Sequence, residues 1–340
     1  MAVNMAPKKK RPTLQDVANL VGVTKMTVSR YLRNPEHVST TTHQKINEAI
    51  ETLGYIPNKA PDLLSNAKSR AIGILVPSLT NQVFAQVIRG IESVTEKAGY
   101  QTMLAHYGYS PEVEEKRVEY LLSYHVDGLI LSESMHTNKT KKMIETAGIP
   151  VVEIMDITSP FIQQAVGFDN VKAAFDMTNT ILDSGYKNIV YLGARLDVRT
   201  QLKLQGYQKA VLARGLTPKS IMTNQASSYS LGAELIQKTL KDYPETDCVF
   251  CTNDDLAIGA IFECQRQHIS VPEQMGVVGF HGHNFGQSMV PQLASVITPR
   301  YSIGEIAAQE LLNAINAEGD ATLPQKIIDT GYTIHKGESL

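Results

Sequence analysis

Residues 14–32 carry two short patterns of apolar residues at the three- and four-residue spacing of an amphipathic helix. The apolar positions are Leu14, Val17, Ala18, Val28 and Leu32. Gly22 lies between the two patterns, where a tight turn favours a residue without a side chain. Thr13 and Thr24 precede them as N-caps, and Thr13 with Asp16 approximates a capping box. We therefore expect two short helices joined by one tight turn.

A third helical pattern begins at 39–40, and its apolar face consists of Ile46, Ala49, Ile50 and Leu53. Gly54 is a natural C-terminal cap, and Pro57 prevents the helix from continuing. The three patterns together predict a small all-helical unit of about 45 residues, which is large enough to persist when it is tethered to a larger domain.

Two polar segments flank this unit. The basic run at 8–11 is either an arm that contacts phosphates or a solvated tail. The segment 58–70 is polar except for Leu63 and Leu64. It is either a linker with two incidental leucines or a hinge helix that orders on DNA and inserts a leucine into the minor groove. The residues themselves leave both alternatives open.

From Ala71 onward, apolar strand patterns such as 72–76 alternate with helical patterns. This alternation predicts parallel sheets covered by helices on both faces. The rhythm restarts after Gly167, which indicates two similar α/β subdomains with a cleft between them. Ligands of open α/β sheets bind at the carboxyl ends of strands. The loops expected there are 77–82, 193–199, 253–255 and 281–286.

Charge is distributed unevenly along the 340 residues, although the formal net charge is only −2. Residues 1–70 hold 11 Lys and Arg against 5 Asp and Glu, whereas the remainder holds 21 against 29. This asymmetry predicts a small anion-binding head on a larger acidic body. The second helix of the head would expose Lys25, Met26, Thr27 and Arg30, as in a helix-turn-helix that reads the DNA major groove. The alternative is an ordinary helical hairpin with a solvated basic face.

Several function classes are disfavoured by what the sequence lacks. We find no secretory signal and no apolar run of the ~18 residues that a membrane span needs, so we expect a cytoplasmic protein with reduced thiols. Cys248 and Cys251 form a CxxC, but residues three apart on a strand face opposite sides, which argues against a metal or redox site. Without a nucleophile elbow, phosphate loop or dinucleotide fingerprint, we expect no enzyme activity and no cofactor.

The stretches LQDVANLVGVTKMTVSRYL, YIPNKAPDLL, CTNDDLAIGA and VVGFHGHN resemble the lactose-repressor (LacI/GalR) family from about Thr13 to the C-terminus. The resemblance implies a periplasmic-binding-protein-like body of two doubly wound parallel-sheet subdomains behind an all-α helix-turn-helix head. It divides the chain into a mobile basic arm (1–12), a helix-turn-helix domain (13–57), a hinge (58–70) and an effector-binding and dimerisation domain (71–340). The N-subdomain then spans about 71–167 and 298–325, and the C-subdomain about 168–297 and 326–340.

The same resemblance implies a homodimer that binds double-stranded operator DNA and loses affinity for it when a small effector closes the cleft. Lys25, Met26 and Arg30 match the base-reading positions of the family's second helix. An Arg there suits bidentate contact with guanine. Further expected DNA contacts or supports are Thr24, Thr27, Ser29, Asn58, Lys59 and Leu64, the last as the minor-groove wedge. Pro61 and Asp62 depart from the family pattern and would delay the hinge helix.

For the effector, the positions that match the family's cleft are Asn81, Phe84, Arg195, Arg199, Lys203, Ser227, Asn253, Asp254 and His281. Many sugar-binding members have an Asp where His281 stands. A histidine that donates, together with Lys203 and Arg199, suits an anion. Further stretches, among them YLGARLDVRT, are similar to family members that control gluconate utilisation. We therefore expect gluconate or a related sugar acid; the alternatives are a regulator of another sugar or sugar phosphate, or a soluble sugar-binding protein.

Overall fold

The structure is a computed structural model that describes residues 10–58, 68–158, 160–317 and 325–340. The chain divides into two compact units, residues 1–69 and residues 70–340. Most of the predicted basic arm (1–9) and the centre of the predicted hinge (59–67) lie outside the described residues. None of the described helices is long and apolar enough to cross a bilayer.

The first unit consists of three helices: α1 (Leu14–Val21), α2 (Lys25–Arg33) and α3 (Thr40–Leu53), with a 3₁₀ turn at Pro35–His37. The capping box predicted from Thr13 is present, since its backbone N–H donates to the Asp16 carboxylate at 2.7 Å. Gly22 adopts φ 77°, which explains why the turn requires glycine. The helices bury a core of Val17, Ala18, Val28, Tyr31, Ile46, Ala49 and Tyr55.

The second unit begins with β1 (Ala71–Val76), α4 (Gln82–Thr95), β2 (Gln101–His106), α5 (Pro111–Ser123), β3 (Gly128–Leu131), α6 (Asn138–Ala147), β4 (Val151–Ile154) and β5 (Gln164–Gly167). It continues with α7 (Asn170–Asp183), β6 (Ile189–Gly193), α8 (Val198–Ala213), β7 (Lys219–Met222), α9 (Tyr229–Asp242), β8 (Cys248–Cys251), α10 (Asp254–Arg266), β9 (Gly276–His281), α11 (Asn284–Ser288) and β10 (Ala294–Ile297). The last elements are α12 (Arg300–Asn316), β11 (Lys326–Asp329) and β12 (Thr333–His335).

These strands form two six-stranded sheets with the orders β11-β5-β4-β3-β1-β2 and β12-β10-β9-β8-β6-β7. All pairs of the first sheet are parallel, with Ala71 opposite Gln101 and Ile72 opposite Gly128. In the second sheet only the β10–β12 pair is antiparallel. The predicted fold, a helix-turn-helix head followed by two doubly wound sheets, is confirmed.

The chain crosses between the two sheets at a place that differs from the prediction. We assigned residues from 326 onward to the C-subdomain, but Lys326–Asp329 pairs with Gln164–Gly167 in the first sheet. The crossing therefore lies between β11 and β12. The strands β5 and β10 were also not anticipated, because four-residue strands without a strong periodic pattern are recognised mainly by what they pair with.

Two glycines allow helices α4 and α12 to pack closely on one face of the first sheet. A Cβ atom on Gly90 would lie 2.1 Å from the carbonyl oxygen of Tyr301, and one on Gly304 would lie 2.0 Å from that of Val87. Any larger side chain at either position would push the helices apart. The N-cap of α4 is Asn81, and Phe84 lies in the first turn of this helix; both line the cleft.

Candidate functional site

Helix α2 presents its N-terminal turn to solvent. The Thr24 hydroxyl caps the helix by accepting the Thr27 backbone N–H at 3.1 Å, and its oxygen lies 2.9 Å from the Thr27 hydroxyl. Val28 is buried against the core, whereas Met26 is 70% exposed and Lys25 is exposed beside it. The helix therefore offers its first turn outward while its inner face holds it to the rest of the head.

The other predicted DNA-contacting residues differ in what the structure says of them. Arg30 is exposed, and the structure shows no ion pair between Lys25 or Arg30 and any residue that it describes. Ser29 is half-buried, and Asn58 is exposed at the end of the head. Lys59 and Leu64 lie outside the described residues.

In the second unit, loops from the carboxyl ends of both sheets surround a polar pocket. Seven of the nine predicted effector residues line it: Asn81, Phe84, Arg195, Arg199, Lys203, Asn253 and His281. The first sheet contributes through the loop before α4, and the second through β6–α8, β8–α10 and the end of β9. The expectation that these loops meet at a cleft follows from the placement of ligands in open α/β sheets.

The pocket is small. Its cavity volume is about 30 Å³, which holds little more than a water molecule. A wider cavity of about 590 Å³ adjoins it and shares Tyr109 and Arg195 as lining residues. A molecule of sugar size would need more room than the smaller cavity provides.

Lys203 and His281 form the base of the pocket. The Lys203 Nζ lies 3.0 Å from the His281 Nε2 and 3.1 Å from the backbone carbonyl oxygen of Thr252, and it stands 4.0 Å from the centre of the Phe280 ring. Burial lowers the pKa of Lys203 to about 7. Burial, followed by the charge of Lys203, also lowers the pKa of His281 well below its usual value.

These contacts favour one assignment of donor and acceptor to the His281 ring nitrogens. The Thr298 hydroxyl donates to the backbone carbonyl of His281 at 3.4 Å, so its oxygen accepts from the His281 Nδ1 at 3.3 Å. The Nε2 of the neutral ring then accepts from the Lys203 ammonium. The sequence predicted that His281 donates to the effector; in this arrangement its Nδ1 contacts Thr298 and its Nε2 contacts Lys203.

Arg199 bridges the two halves of the cleft. Its side chain is 9% exposed, and a guanidinium N–H donates to the backbone carbonyl of Ser132, beyond β3 of the first sheet. The Nη2 lies 3.7 Å from Asp197 and 3.9 Å from Glu133. Although burial alone would lower the Arg199 pKa, these two carboxylates raise it, so the guanidinium remains charged. Arg195 packs 4.9 Å from the centre of the Tyr109 ring.

Two predicted effector residues do not line the pocket. Asp254 is fully buried, accepts from the Ser295 hydroxyl at 2.7 Å and from the backbone N–H of His283, and so holds the loop after β9 instead of facing a ligand. Ser227 donates to the side-chain oxygen of Asn253 at 2.8 Å and so orients a residue that lines the pocket. The N-cap of α10 is Asn253, whose side-chain oxygen accepts from the Leu256 N–H at 3.2 Å.

Seven further residues line the pocket that were not among the predicted effector residues: Val83, Tyr109, Met155, Ala194, Asp197, Thr200 and Thr252. Of these, Ala194 and Asp197 lie in the loop 193–199 that the sequence predicted at the cleft. Tyr109, Met155 and Thr252 each follow the last residue of a strand, β2, β4 and β8, by one to three positions. The carboxyl-end rule could therefore have found them if β2 and β4 had been treated like the other strands. Asp197 and Thr200 precede and begin α8, where Asp197 is the N-cap.

Backbone strain is concentrated at this pocket. Seven non-glycine residues of the described chain have positive φ, and four of them line the pocket: Tyr109 (63°), Met155 (77°), Arg195 (63°) and His281 (99°). Such conformations cost free energy and persist where the surrounding contacts enforce them, commonly at binding sites. Their clustering is an indication of function that is independent of the charges.

The cysteines contribute to the core and not to a site. Cys248, Cys251 and Cys264 are buried and free, and burial raises the pKa of the Cys264 thiol to about 11. Within the described ranges no group of His, Cys, Asp and Glu side chains is arranged to hold a metal ion.

A helix-turn-helix head, together with an α/β body that has a polar pocket between its two sheets, defines a ligand-controlled DNA-binding regulator. Residues 13–58 match the bacterial regulatory proteins of the lacI family, and residues 69–336 match the periplasmic binding proteins and sugar-binding domain of the LacI family. The chain belongs to the LacI family of transcriptional regulators.

Full-length relatives support this assignment. The chain is 60% identical to the HTH-type transcriptional regulator GntR of Escherichia coli K12, over 98% of this chain and 100% of that protein. It is 46% identical to the regulator IdnR of the same strain, over 97% of this chain and 99% of that protein. A LacI-family regulator structure from Silicibacter pomeroyi superposes with a TM-score of 0.89 at 30% identity, covering 97% of this chain and 100% of that one.

Proposed function

We propose that the chain is a repressor of sugar-acid catabolic genes that leaves its operator when gluconate or a closely related sugar acid binds in the cleft. The observation that carries this proposal is the buried Lys203 Nζ, which has no carboxylate within 4.0 Å among the described residues although the residue lines the pocket. Taking a cation out of water is costly unless an anion accompanies it. A sugar acid supplies that anion, and its hydroxyls suit the amide of Asn253 and the hydroxyl of Thr200.

Arg195 and Arg199 favour the same effector class. Both line the pocket, and Arg199 shares its charge with Asp197 and Glu133, so the lining is not as positive as its three cations suggest. This balance favours a monoanion such as gluconate over a phosphorylated sugar acid, which carries more negative charge.

Calorimetric titration of the purified chain at pH 6 tests the effector class. Gluconate, keto-gluconates, 6-phosphogluconate and neutral glucose are compared under identical conditions. We expect gluconate or a keto-gluconate to bind most tightly and glucose not to bind measurably. Binding of glucose alone would contradict the proposal, and tightest binding of 6-phosphogluconate would move the effector to the phosphorylated class.

In the head, we propose that Lys25, Met26 and Arg30 read bases while Thr24 and Thr27 hold the helix end. The exposure of the first turn of α2 supports this division. Replacing Arg30 by Ala should cost about 1–3 kcal/mol of binding to a specific operator and leave binding to random DNA nearly unchanged. Lys45→Ala, an exposed basic residue on α3, is the matched control. Equal losses on specific and random DNA would show that Arg30 contacts only phosphates.

We further propose that two copies associate through the second half of the body. An apolar surface there consists of Tyr229, Phe262, Phe285 and Val290. The centre of the Phe285 ring lies 6.2 Å from that of Tyr229 and 6.4 Å from that of Phe262, and Val290 is 82% exposed. A second copy of this chain would cover it, as the family's two-fold operators require. Sedimentation should give a dimer, and Phe285→Glu should shift it toward monomer. A monomeric native chain would contradict this part of the proposal.

A further inference from the structure

Lys203 is a buried lysine whose side-chain nitrogen contacts neutral acceptors and no carboxylate. The residue is 3% exposed, and its ammonium can donate three hydrogen bonds. Two acceptors are in place, the Thr252 carbonyl oxygen at 3.1 Å and the His281 Nε2 at 3.0 Å. No third acceptor lies within hydrogen-bond distance among the residues that the structure describes. Since Lys203 lines the pocket, the remaining position on its nitrogen is available to a ligand.

The charges around Lys203 come from every element packed against it. On α8, Asp197 favours the ammonium and Arg199 opposes it; from α10, Asp254 favours it. The neighbouring His281 of β9 is itself held neutral, chiefly by its burial, with Lys203, His283, Arg300 and Arg199 adding to the effect. The Phe280 ring at 4.0 Å provides a cation–π contact. Burial outweighs the favourable contributions, and the pKa of Lys203 falls to about 7.

We propose, on the basis of the effector class proposed above, that binding of an anion at Lys203 is coupled to the uptake of one proton by its Nζ. In the empty pocket a large part of the lysine is the neutral amine. The effector carboxylate accepts the third hydrogen bond and stabilises the ammonium, so the amine takes a proton from water as the anion enters. His281 remains neutral and keeps its Nε2 as an acceptor.

The coupling makes effector affinity a function of pH in a predictable sense. Carboxylic acids have pKa values near 4, so gluconate keeps one negative charge throughout the range above pH 6. Below pH 6 the lysine is already charged and affinity is at its maximum. From pH 6 to pH 9 the dissociation constant should rise about 100-fold, because a pKa of about 7 leaves on the order of 1% of the ammonium at pH 9. The regulator would respond to a given effector concentration more weakly as the pH rises.

The test is calorimetric titration of the full chain with gluconate at pH 8, in several buffers that differ in ionisation enthalpy. The observed heat plotted against the buffer's ionisation enthalpy gives the number of protons exchanged. We expect uptake of about 0.9 proton per site, since at pH 8 only about a tenth of the lysine is charged before binding. A slope of zero would overturn the inference.

Two variants assign the proton to a residue. Lys203→Arg keeps the charge on a group that does not titrate in this range, so proton uptake should vanish and the dissociation constant should become independent of pH. Lys209→Arg, an exposed residue on the same helix, is the matched control and should take up the same proton as the native chain. Proton uptake that persists in Lys203→Arg would place the proton on another group and contradict the inference.

The inference and the proposed function fail in different ways. Gluconate that binds at pH 6 without proton uptake at pH 8 contradicts the inference alone. A chain that binds none of the sugar acids at pH 6 contradicts the proposed effector class and the inference with it. Because the native chain supplies the first measurement, the test does not depend on whether a variant folds.

Discussion

His136 and His281 are both buried at the carboxyl end of a sheet, one in each half of the body. His136 lies in the loop between β3 and α6, and His281 is the last residue of β9. His136 sits between two carboxylates, with its Nδ1 2.8 Å from Glu114 and its Nε2 3.1 Å from Glu153. Burial opposes its charge, but the hydrogen bonds and charges of the two glutamates outweigh burial and raise its pKa to about 9. His281 faces Lys203 instead, and its pKa is lowered well below the usual value.

The difference shows what each cluster is for. The trio of Glu114, His136 and Glu153 supplies its own counter-charges, and Glu153 also accepts from the backbone N–H of Ile162, so the cluster ties together α5, β4 and the loop before α6. The pair of Lys203 and His281 lacks an acid of its own at contact distance. A buried charge set that is complete contributes to the fold, whereas one that lacks its anion is suited to bind one.

The largest expected effect is a loss of folding stability when the cluster of Glu114, His136 and Glu153 is broken. Glu153→Ala removes an acceptor from His136 and from the Ile162 N–H, and leaves buried polar groups without partners. The free energy of unfolding, measured by urea denaturation, should fall by about 3–5 kcal/mol. Glu145→Ala, at an exposed position on α6, is the control and should change it by less than about 0.5 kcal/mol. Similar small changes in both variants would show that the trio does not stabilise the fold.

A second variant converts the incomplete cluster into a complete one. His281→Asp places a carboxylate beside Lys203, which then has its anion without any ligand. Affinity for gluconate should fall by about 100-fold, equivalent to about 3 kcal/mol, while the free energy of unfolding should not decrease. His281→Asn, which keeps an acceptor without adding charge, should stay within about tenfold of the native chain. Calorimetric titration measures the gluconate affinity of both variants, and urea denaturation measures the free energy of unfolding. Retained gluconate affinity in His281→Asp would contradict the proposed anion site.

The third prediction concerns the two clusters' opposite dependence on pH. The raised pKa of His136 means that its stabilising contribution is complete below pH 6.5 and is lost as the pH rises through about 9. The difference in unfolding free energy between the native chain and His136→Gln should therefore shrink by about 2–3 kcal/mol over that range. The raised pKa of Glu153 acts in the same direction.

Lys203 should show the reverse slope. Its lowered pKa makes its burial a cost that is fully present below pH 7 and disappears as the pH rises toward 10.5. Relative to Lys203→Met, the native chain should gain stability over that interval. Urea denaturation of the three chains at several pH values checks both signs, and parallel slopes would mean that the two clusters do not differ in charge state as inferred.

Much of the site was predictable because its cause is local. Thr13, Gly22 and Thr24 predict where the first two helices of the head begin and end, because caps and left-handed turns depend on neighbouring residues alone. Strand and helix periodicity located the loop that carries Arg195 and the helix after it that carries Lys203, and the family resemblance pointed to these residues as effector contacts. Asp254 was predicted to contact the effector, whereas the structure places its carboxylate against Ser295, 41 residues away. A carboxylate at the start of a helix can face either a ligand or a neighbouring strand, and the local sequence does not distinguish the two.

The sequence by itself determined the class of protein: a basic three-helix head, an alternating α/β body and a set of polar loops at the carboxyl ends of strands. Only the tertiary structure decided which charges meet. Lys203 and His281 are 78 residues apart, and Glu114 and Glu153 lie 22 and 17 residues from His136. Periodicity reflects hydrogen bonding and burial within one element, whereas a pKa depends on groups that the sheet order brings together. For that reason the sequence could predict that His281 lies at the carboxyl end of a strand, but it could not predict the charge state of its side chain.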